Sequence, residues 1–326
     1  MKGMYYKKSD GNKILCELCP NKCEISNSRH GICRIRFNKN GDLDLPLYGK
    51  LSAIAMDPIE KKPLYHFYPE SDILSIGFYG CSFHCPFCQN YSISQTNKGR
   101  FDEKTPEELV VIAKSHNSVG IAYTYSEPLI HFEYVLNSAK IARKNGLKNV
   151  LVSNGYINPE PAVELLEYLD AANIDLKAFT DDFYKKEVGG SLAEVKRFIS
   201  QAAGKIHLEV TTLVIPGKND SDEEIESIAR FLSGLSPDIP YHLSCYYPTY
   251  KYSIPPTPPG TVKRLAELAG KYLNYVYLGN VGSSETNTYC PKCRKLLIKR
   301  AGYNVTIKGI EKGRCVSCNA EVSVKM

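Results

Sequence analysis

Three cysteines in one short loop are the strongest chemical signal in the sequence. Cys81, Cys85 and Cys88 have a C-x3-C-x2-C spacing and directly follow an apolar, strand-like run at residues 73–78. Iron–sulfur clusters are usually held by four thiolates, so a loop that offers three leaves one iron open to a substrate or cofactor. A structural zinc site, completed by His84 or by a distant cysteine, is the alternative interpretation of this spacing.

The carboxylate of Glu127 follows a second β-rich run, at residues 119–123. Ser126 before it and Pro128 after it are typical of a helix start, where Glu127 would only favour the helix dipole. If the run is a parallel strand, however, the same carboxylate lies at its carboxyl end, beside the cysteine loop. From the residues themselves, both interpretations stay open.

Two more pairs of polar residues lie at the carboxyl ends of the third and fourth predicted strands. Ser153 and Asn154 suit a turn, and they suit equally well the close approach of a ribose or a carboxylate. Asp175 and Lys177 lie on one face of the fourth strand, because alternate residues of a strand point the same way. They form either a structural ion pair inside the sheet or contacts to a ligand.

The elements that must position these residues alternate along the central part of the chain. Besides the run at 73–78, β-prone runs separated by helical runs occur at residues 119–123, 149–152, 173–176, 207–213 and 241–244, with a seventh candidate at 275–278. This alternation predicts an α/β fold with parallel strands joined by helices. Six or seven units fall short of the eight in a closed barrel.

Helix boundaries are also marked in the sequence. Thr105 before Pro106 is typical of an N-cap with proline in the first turn, and residues 221–224 have the spacing of a capping box. Gly146 is typical of a helix stop.

The last forty residues contain two C-x2-C knuckles around a β-prone segment at 303–308. This arrangement predicts a closed zinc-ribbon-like module, with a rubredoxin-like iron site as the alternative. The predicted zinc ligands are Cys290, Cys293, Cys315 and Cys318.

A second set of four cysteines lies in a polar, turn-rich N-terminal segment, where a bound metal would supply stability. The spacing leaves zinc and an auxiliary 4Fe-4S cluster open. The predicted ligands are Cys16, Cys19, Cys23 and Cys33. The domain prediction is therefore a metal-binding segment at 1–50, a partial barrel at 65–284 and a ribbon at 285–326.

Composition narrows the class of protein. The 326 residues include 43% hydrophobic residues and no apolar run near the roughly 18 residues of a membrane span, so we expect a soluble protein. The first residues do not have the pattern of a signal peptide, so the expected compartment is the cytoplasm. In that compartment the twelve cysteines favour metal binding over disulfides, and the isolated Cys245 is expected to be a buried apolar residue. The net charge of +6 is spread along the chain and is weak support for nucleic-acid binding.

The cysteine loop resembles that of the radical S-adenosylmethionine (SAM) enzymes. More closely, the chain resembles the radical enzyme of the AmmeMemoRadiSam system, a relative of the pyruvate formate-lyase activating enzymes. Residues 65–69, of sequence Tyr-His-Phe-Tyr-Pro, and residues 89–95 after the loop carry much of this likeness. The resemblance implies a partial parallel (β/α)6-type barrel and a 4Fe-4S cluster on Cys81, Cys85 and Cys88, with SAM chelating the open iron.

The same resemblance suggests roles for the strand-end residues. Glu127 matches the glutamate of a Gly-Gly-Glu-Pro motif that binds the cofactor's ammonium, with Tyr125 and Ser126 in place of the glycines. Asp175 and Lys177 match an Asp-x-Lys motif associated with the cofactor's carboxylate end. The remaining predicted cofactor-side residues are Phe87 as a flat platform, Ser153 and Asn154, Ile215 and Gly217 at the adenine, and His242 in a Pro-Tyr-His motif.

The expected activity is reductive cleavage of SAM to a 5'-deoxyadenosyl radical, which abstracts hydrogen from an unidentified substrate. The electron donor would be flavodoxin- or ferredoxin-like. The substrate is either a glycyl radical enzyme or a small molecule handled with AMMECR1-like and Memo-like partners. The alternative from another class is an RNA-binding or RNA-modifying protein that uses Lys299, Arg300 and Lys308 of its basic C-terminal ribbon.

Overall fold

The computed structural model describes residues 1–282 and 286–326. Its centre is an eight-stranded sheet in which seven strands are parallel and one edge strand, Ala53–Pro58, is antiparallel. We number the parallel strands β1 (Asp72–Gly77), β2 (Gly120–Thr124), β3 (Lys148–Ser153), β4 (Ala171–Asp175), β5 (His207–Val214), β6 (Tyr241–Cys245) and β7 (Val276–Gly279).

The strands lie side by side in chain order, from the antiparallel edge strand through β1 to β7. Within the described residues the two outer strands are not paired with each other, so the sheet is open. The seven strands predicted from the sequence are confirmed to within two residues at each end. The sheet is therefore the mostly parallel α/β sheet that the alternation of runs predicted.

One principal helix connects each pair of consecutive parallel strands. These helices are Pro106–Ser115, Phe132–Lys144, Pro159–Leu166, Leu192–Ala202, Asp222–Leu235 and Pro259–Ala269. Shorter helical turns are Ile59–Lys61, Tyr91–Ser94, Pro128–His131, Asp181–Phe183 and Tyr184–Val188. None of the helices in the described part of the chain is long and apolar enough to cross a membrane.

The predicted helix boundaries hold with one exception. Thr105 and Glu108 form a reciprocal capping box, and Gly146 follows the end of its helix at φ +77°. Ser221 accepts a hydrogen bond from the Glu224 N–H at 3.1 Å, as predicted. The other half of that box is missing because the Glu224 carboxylate accepts a bond from the backbone N–H of Phe179 instead.

The two faces of the sheet are covered differently. Leu74, Ile121 and Leu151 belong to the main core, whereas their immediate neighbours Ile73 and Ala122 belong to a second cluster. Because adjacent residues of a strand point to opposite faces, the second cluster lies on the opposite, inner face. Near the amino ends of the strands this inner face is covered by Ile59, Leu64 and Phe67. The carboxyl ends of the same face are left for a cavity.

The N-terminal segment forms antiparallel strands at Tyr6–Ser9, Lys13–Cys16 and Glu24–Ile25 and a hairpin at Phe37–Lys39 and Asp42–Asp44; Lys50–Leu51 pairs with Asp102–Glu103. Its buried Ile14, Leu18 and Ile25 join the main core. The segment therefore packs as part of the same core as the sheet.

The C-terminal residues have a small apolar core of their own, which includes Leu297, Ile298 and Val322. Their strands are Thr288–Tyr289, Leu296–Ala301, Asn304–Ile307, Ile310–Glu311 and Arg314–Cys315. The predicted boundary between residues 284 and 285 lies outside the described residues.

Candidate functional site

A cavity of about 360 Å³ lies at the carboxyl ends of the parallel strands. It unites residues from loops that are far apart in the sequence, as expected where the ends of parallel strands meet. Nine of the predicted site residues line it: Cys81, Cys85, Phe87, Cys88, Glu127, Ser153, Asn154, Asp175 and Lys177.

The cysteine loop is tightly fixed at its start. Gly80 has φ +77°, and a Cβ atom at this position would lie 2.4 Å from the carbonyl oxygen of Cys33. The Cys81 sulfur accepts a hydrogen bond from the backbone N–H of Phe83 at 3.3 Å. Only glycine fits both the backbone conformation and the close contact at residue 80, so the loop depends on it.

His84 does not join the three thiols in the described structure. Its side chain is exposed, and its ring packs over the Cα of Gly189. This placement disfavours the zinc interpretation in which His84 is the fourth ligand of the loop.

Glu127 is buried at the edge of the cavity, with 1% of its surface exposed. Its carboxylate accepts hydrogen bonds from Ser153 Oγ at 2.7 Å, from the backbone N–H of Leu129 at 3.0 Å and from that of Asn154 at 2.9 Å. The pKa of Glu127 is raised to about 7, because burial raises it by more than these hydrogen bonds lower it. A carboxylate has about four acceptor positions, so one stays available for a further donor.

Ser153 and Asn154 connect Glu127 to the cysteine loop. The Asn154 side-chain amide donates to Ser82 Oγ at 3.1 Å and approaches the Cys81 sulfur at 3.7 Å. Its carbonyl oxygen accepts a hydrogen bond from the backbone N–H of Tyr156. The two residues therefore fix the position of the carboxylate relative to the first cysteine.

Tyr125 and Ser126 adopt left-handed backbone conformations, with φ +45° and +76°. Such conformations cost roughly 1–2 kcal/mol in a non-glycine residue, and neighbouring contacts hold both residues here. The Tyr125 hydroxyl donates to Asp57 at 2.5 Å and accepts from Lys62 at 3.0 Å. The Ser126 hydroxyl donates to the Gly80 carbonyl oxygen. These side chains keep the glycine-like backbone that presents Glu127.

Asp175, the last residue of β4, forms an ion pair of 3.0 Å with Lys177, and both residues line the cavity. Burial by itself lowers the pKa of Lys177, but the charges of Asp175 and Cys85 raise it above its ordinary value. Lys177 thus stays protonated and lies close enough to Cys85 for their charges to interact. A half-buried ammonium at this position can balance negative charge held by the cysteine loop.

Three predicted site residues do not line the cavity. Ile215 is fully buried in the core, and Gly217 is exposed in the turn after β5. His242 points to the inner face, but it is bound to Glu209 at 2.6 Å, nearer the amino ends of the strands. Phe87, which does line the cavity, is buried and packs near Phe183.

Other residues of the cavity wall were missed from the sequence. Thr211 and Leu213 follow Glu209 at alternate positions on β5, and Ser244 follows His242 on β6. The alternation of side chains that marks the inner face was visible in the sequence. The sequence did not show at which residue along each strand the cavity begins. Lys61, from the segment before β1, had no strand-end signal at all.

The four C-terminal cysteines come together as a compact group. One sulfur from each of Cys290, Cys293, Cys315 and Cys318 lies within 4.8 Å of all the others, and two of the pairs are 3.6 Å apart. This geometry suits a single metal ion.

Of the three basic ribbon residues named for RNA binding, Lys299 and Lys308 are exposed but Arg300 is not available. Arg300 is 4% exposed. It donates to Thr288 Oγ1 at 2.7 Å and to the Tyr65 carbonyl oxygen at 2.6 Å. The residue attaches the C-terminal strands to the segment before β1, so its predicted contact with RNA is wrong.

Comparison with known proteins identifies the superfamily of the central region and the fold. The sequence profile of the Radical SAM superfamily matches residues 75–232. In solved structures, the chain resembles Streptococcus suis SuiB bound to S-adenosylmethionine, with TM-score 0.52 and 14% identity over 66% of this chain and 50% of that one. A radical SAM methyltransferase from Sphaerobacter thermophilus gives TM-score 0.52 and 19% identity over 65% and 67%. At these identities the likeness concerns the fold alone.

Sequence relatives extend this result. The uncharacterized protein MJ0808 of Methanocaldococcus jannaschii is 42% identical over 98% of both chains. The pyruvate formate-lyase 1-activating enzyme of Escherichia coli is 28% identical over 47% of this chain and 65% of its own length. A putative glycyl-radical enzyme activating enzyme of M. jannaschii, MJ1632, is 27% identical over 70% of this chain and 87% of its own. The protein belongs to the Radical SAM superfamily and is related to the pyruvate formate-lyase activating enzymes.

Proposed function

We propose that this protein holds a 4Fe-4S cluster on Cys81, Cys85 and Cys88 and cleaves SAM reductively to a 5'-deoxyadenosyl radical, which abstracts hydrogen from a substrate. The observation that carries the proposal is the shared cavity, which three thiols, a buried carboxylate and a half-buried ammonium line together. When bound and reduced, the cluster supplies one electron, and SAM yields methionine and the radical.

The residues around the cavity fit the parts of the cofactor. The open acceptor position of Glu127 suits the ammonium of the methionine part, because an opposite charge favours the ionised carboxylate. The Asp175–Lys177 pair suits its carboxylate end, and Lys177 also offsets the negative charge of the cluster near Cys85. Phe87 supplies an apolar wall. Contacts of Ile215 and Gly217 with adenine, and of His242 with cofactor or substrate, are part of the proposal on the ground of resemblance.

The first test is product formation by the anaerobically reconstituted protein with dithionite and SAM. We expect 5'-deoxyadenosine from the wild type and none from Cys81→Ala. Cys245→Ala is the matched control, because Cys245 is fully buried and does not line the cavity. Absence of 5'-deoxyadenosine from wild-type protein with an intact cluster would contradict the proposal.

For the substrate, we propose a glycyl radical enzyme, with a flavodoxin- or ferredoxin-like protein as electron donor. The relatives named as activating enzymes support this choice. The AmmeMemoRadiSam system, with a small molecule and AMMECR1-like and Memo-like partners, is the other proposal, carried by the resemblance at residues 65–69 and 89–95. A glycyl radical signal on a partner protein in electron paramagnetic resonance supports the first, and a small product formed with 5'-deoxyadenosine supports the second.

We also propose that the C-terminal cysteines bind zinc in a zinc-ribbon-like module. A tetrahedral ion with Zn–S bonds of about 2.3 Å holds its thiolates about 3.8 Å apart, near the 3.6 Å of two of the pairs. Double substitution Cys293→Ala and Cys318→Ala should remove about one zinc per chain and lower the melting temperature. Equal zinc content in this variant and in Cys245→Ala would argue against the site.

A further inference from the structure

The N-terminal set of four cysteines can be compared with the two other sets in the same chain. The C-terminal set is a compact group, as a single metal ion requires, because all four thiolates bind one atom. Thiolates of a 4Fe-4S cluster bind different iron atoms and therefore stand further apart. The distance between the sulfur atoms therefore distinguishes a single-metal site from a 4Fe-4S site.

Among the described residues, only the C-terminal set meets the compact spacing. The Cys81 loop, for which the superfamily implies a 4Fe-4S cluster, does not meet it. Neither does the N-terminal set. Its four thiols nevertheless form one group, because Cys19 is close enough to Cys16, Cys23 and Cys33 for their charges to interact. In this respect the N-terminal set resembles the Cys81 loop and differs from the C-terminal site.

A buried cation lies beside these thiols. Arg36 is 2% exposed, and its charge interacts with Cys16 and Cys33. Its terminal nitrogens are paired with Glu133 at 3.0 Å, whereas its Nε atom has no hydrogen-bond partner in the described part of the chain. A buried N–H without a partner is costly, and a negatively charged group held by the cysteines would reduce that cost.

The N-terminal set also lies directly against the loop of the proposed active site. Asn21, between Cys19 and Cys23, donates a hydrogen bond to the carbonyl oxygen of Ser82 at 3.0 Å. On the other side, the carbonyl oxygen of Cys33 packs on Gly80. Ser82 and Gly80 are the two neighbours of Cys81, so both halves of the set touch the loop.

We propose that Cys16, Cys19, Cys23 and Cys33 hold a second iron–sulfur cluster, packed against the Cys81 loop. Two half-buried ligands, Cys19 and Cys23, leave this cluster near the protein surface. The site is separate from the proposed cavity, whose lining includes none of the four. The assignment therefore does not depend on whether SAM is cleaved.

The test uses the full chain carrying Cys81→Ala, Cys85→Ala and Cys88→Ala, reconstituted anaerobically with iron and sulfide. This triple variant changes no residue of the N-terminal segment, and its circular dichroism spectrum shows whether the chain is folded. We expect about four iron atoms per chain, against about eight in the wild type, and a 4Fe-4S signature in Mössbauer spectra.

A second variant adds Cys16→Ala and Cys19→Ala to the triple variant, and it should lose the remaining cluster. A triple variant with a native circular dichroism spectrum, no iron–sulfur signature and two zinc ions per chain would overturn the proposal. Iron content and spectra are independent of 5'-deoxyadenosine formation. Failure of this inference is therefore distinguishable from failure of the proposed activity.

Discussion

At the scale of single residues, Glu127 combines a structural role with the chemical role proposed for it. Its side chain, and not that of Ser126 as predicted, caps the turn Pro128–His131 by accepting a hydrogen bond from the backbone N–H of Leu129. The Ser126 hydroxyl donates to the Gly80 carbonyl oxygen instead. The same carboxylate is also bonded to Ser153 and Asn154 at the cavity. The two interpretations are thus compatible, because a carboxylate can accept several hydrogen bonds at once.

The raised pKa of Glu127 predicts how SAM binding depends on pH. Burial raises this pKa to about 7, so the carboxyl group loses its proton as the pH rises from 6 to 8. Only the ionised form attracts the cofactor's ammonium, and we expect binding to tighten about tenfold over this range. Isothermal titration of the anaerobic, cluster-loaded protein measures the effect.

The controls for this prediction remove one charge at a time. Glu127→Gln should bind SAM more weakly at pH 8 and should lose most of the pH dependence. Methylthioadenosine, which has no ammonium group, should bind the wild type with little change between pH 6 and 8. The same slope in wild type and Glu127→Gln would assign the titration to another group.

At the scale of elements, the loop after β1 depends on one backbone conformation. Gly80 and Gly146 both have φ +77°. A Cβ at Gly80 would meet the Cys33 carbonyl oxygen at 2.4 Å and Ile35 at 2.6 Å, whereas one at Gly146 would meet nothing within 4 Å. The two glycines therefore share the backbone strain and differ in the contact.

This pair provides a matched test of how the loop is positioned. Gly80→Ala should lower both stability and iron bound at Cys81, Cys85 and Cys88, because the loop must move away from Cys33. Gly146→Ala should cost about 1–2 kcal/mol of unfolding free energy and leave the iron content unchanged. Unfolding in urea and iron analysis after reconstitution measure the two effects. Equal iron content in both variants would show that the close contact at Gly80 is unimportant.

At the scale of the whole molecule, the C-terminal strands are joined to the sheet through buried polar contacts. Arg300 donates to residues on both sides of this junction, Tyr65 and Thr288. His66 bonds Tyr277 of β7 at 2.6 Å and the Ser323 carbonyl oxygen at 2.7 Å. These contacts hold the segment that covers the amino ends of the inner face.

Arg300 should therefore matter for stability. Arg300→Met removes the donor from buried carbonyl and hydroxyl groups, and we expect a loss of about 2–4 kcal/mol in unfolding free energy. Lys299→Met, at the exposed neighbouring position, should change it by no more than about 0.5 kcal/mol. Urea unfolding monitored by circular dichroism compares the two. Similar midpoints for both variants would mean that the junction contributes little.

The sequence by itself determined the parts that depend on local pattern. The spacing of Cys81, Cys85 and Cys88 and the alternation of strands and helices are short-range signals, and they sufficed for the loop and the parallel sheet. The carboxyl ends of the strands then indicated Glu127, Asp175 and Lys177, because parallel strands bring these ends to one edge.

Only the tertiary structure decided the depth of the cavity and the relation between the cysteine sets. His242 and Ser244 share a face of β6, but only Ser244, nearer the carboxyl end, lines the cavity. Residues 59–67 cover that face near the amino ends of the strands. That packing joins segments distant in the chain, so no local pattern encodes it. Likewise, spacing in the sequence left zinc and iron open at the N-terminal cysteines. In the described part of the folded chain these cysteines do not meet the compact spacing of the C-terminal set, and Asn21 between them contacts the Cys81 loop.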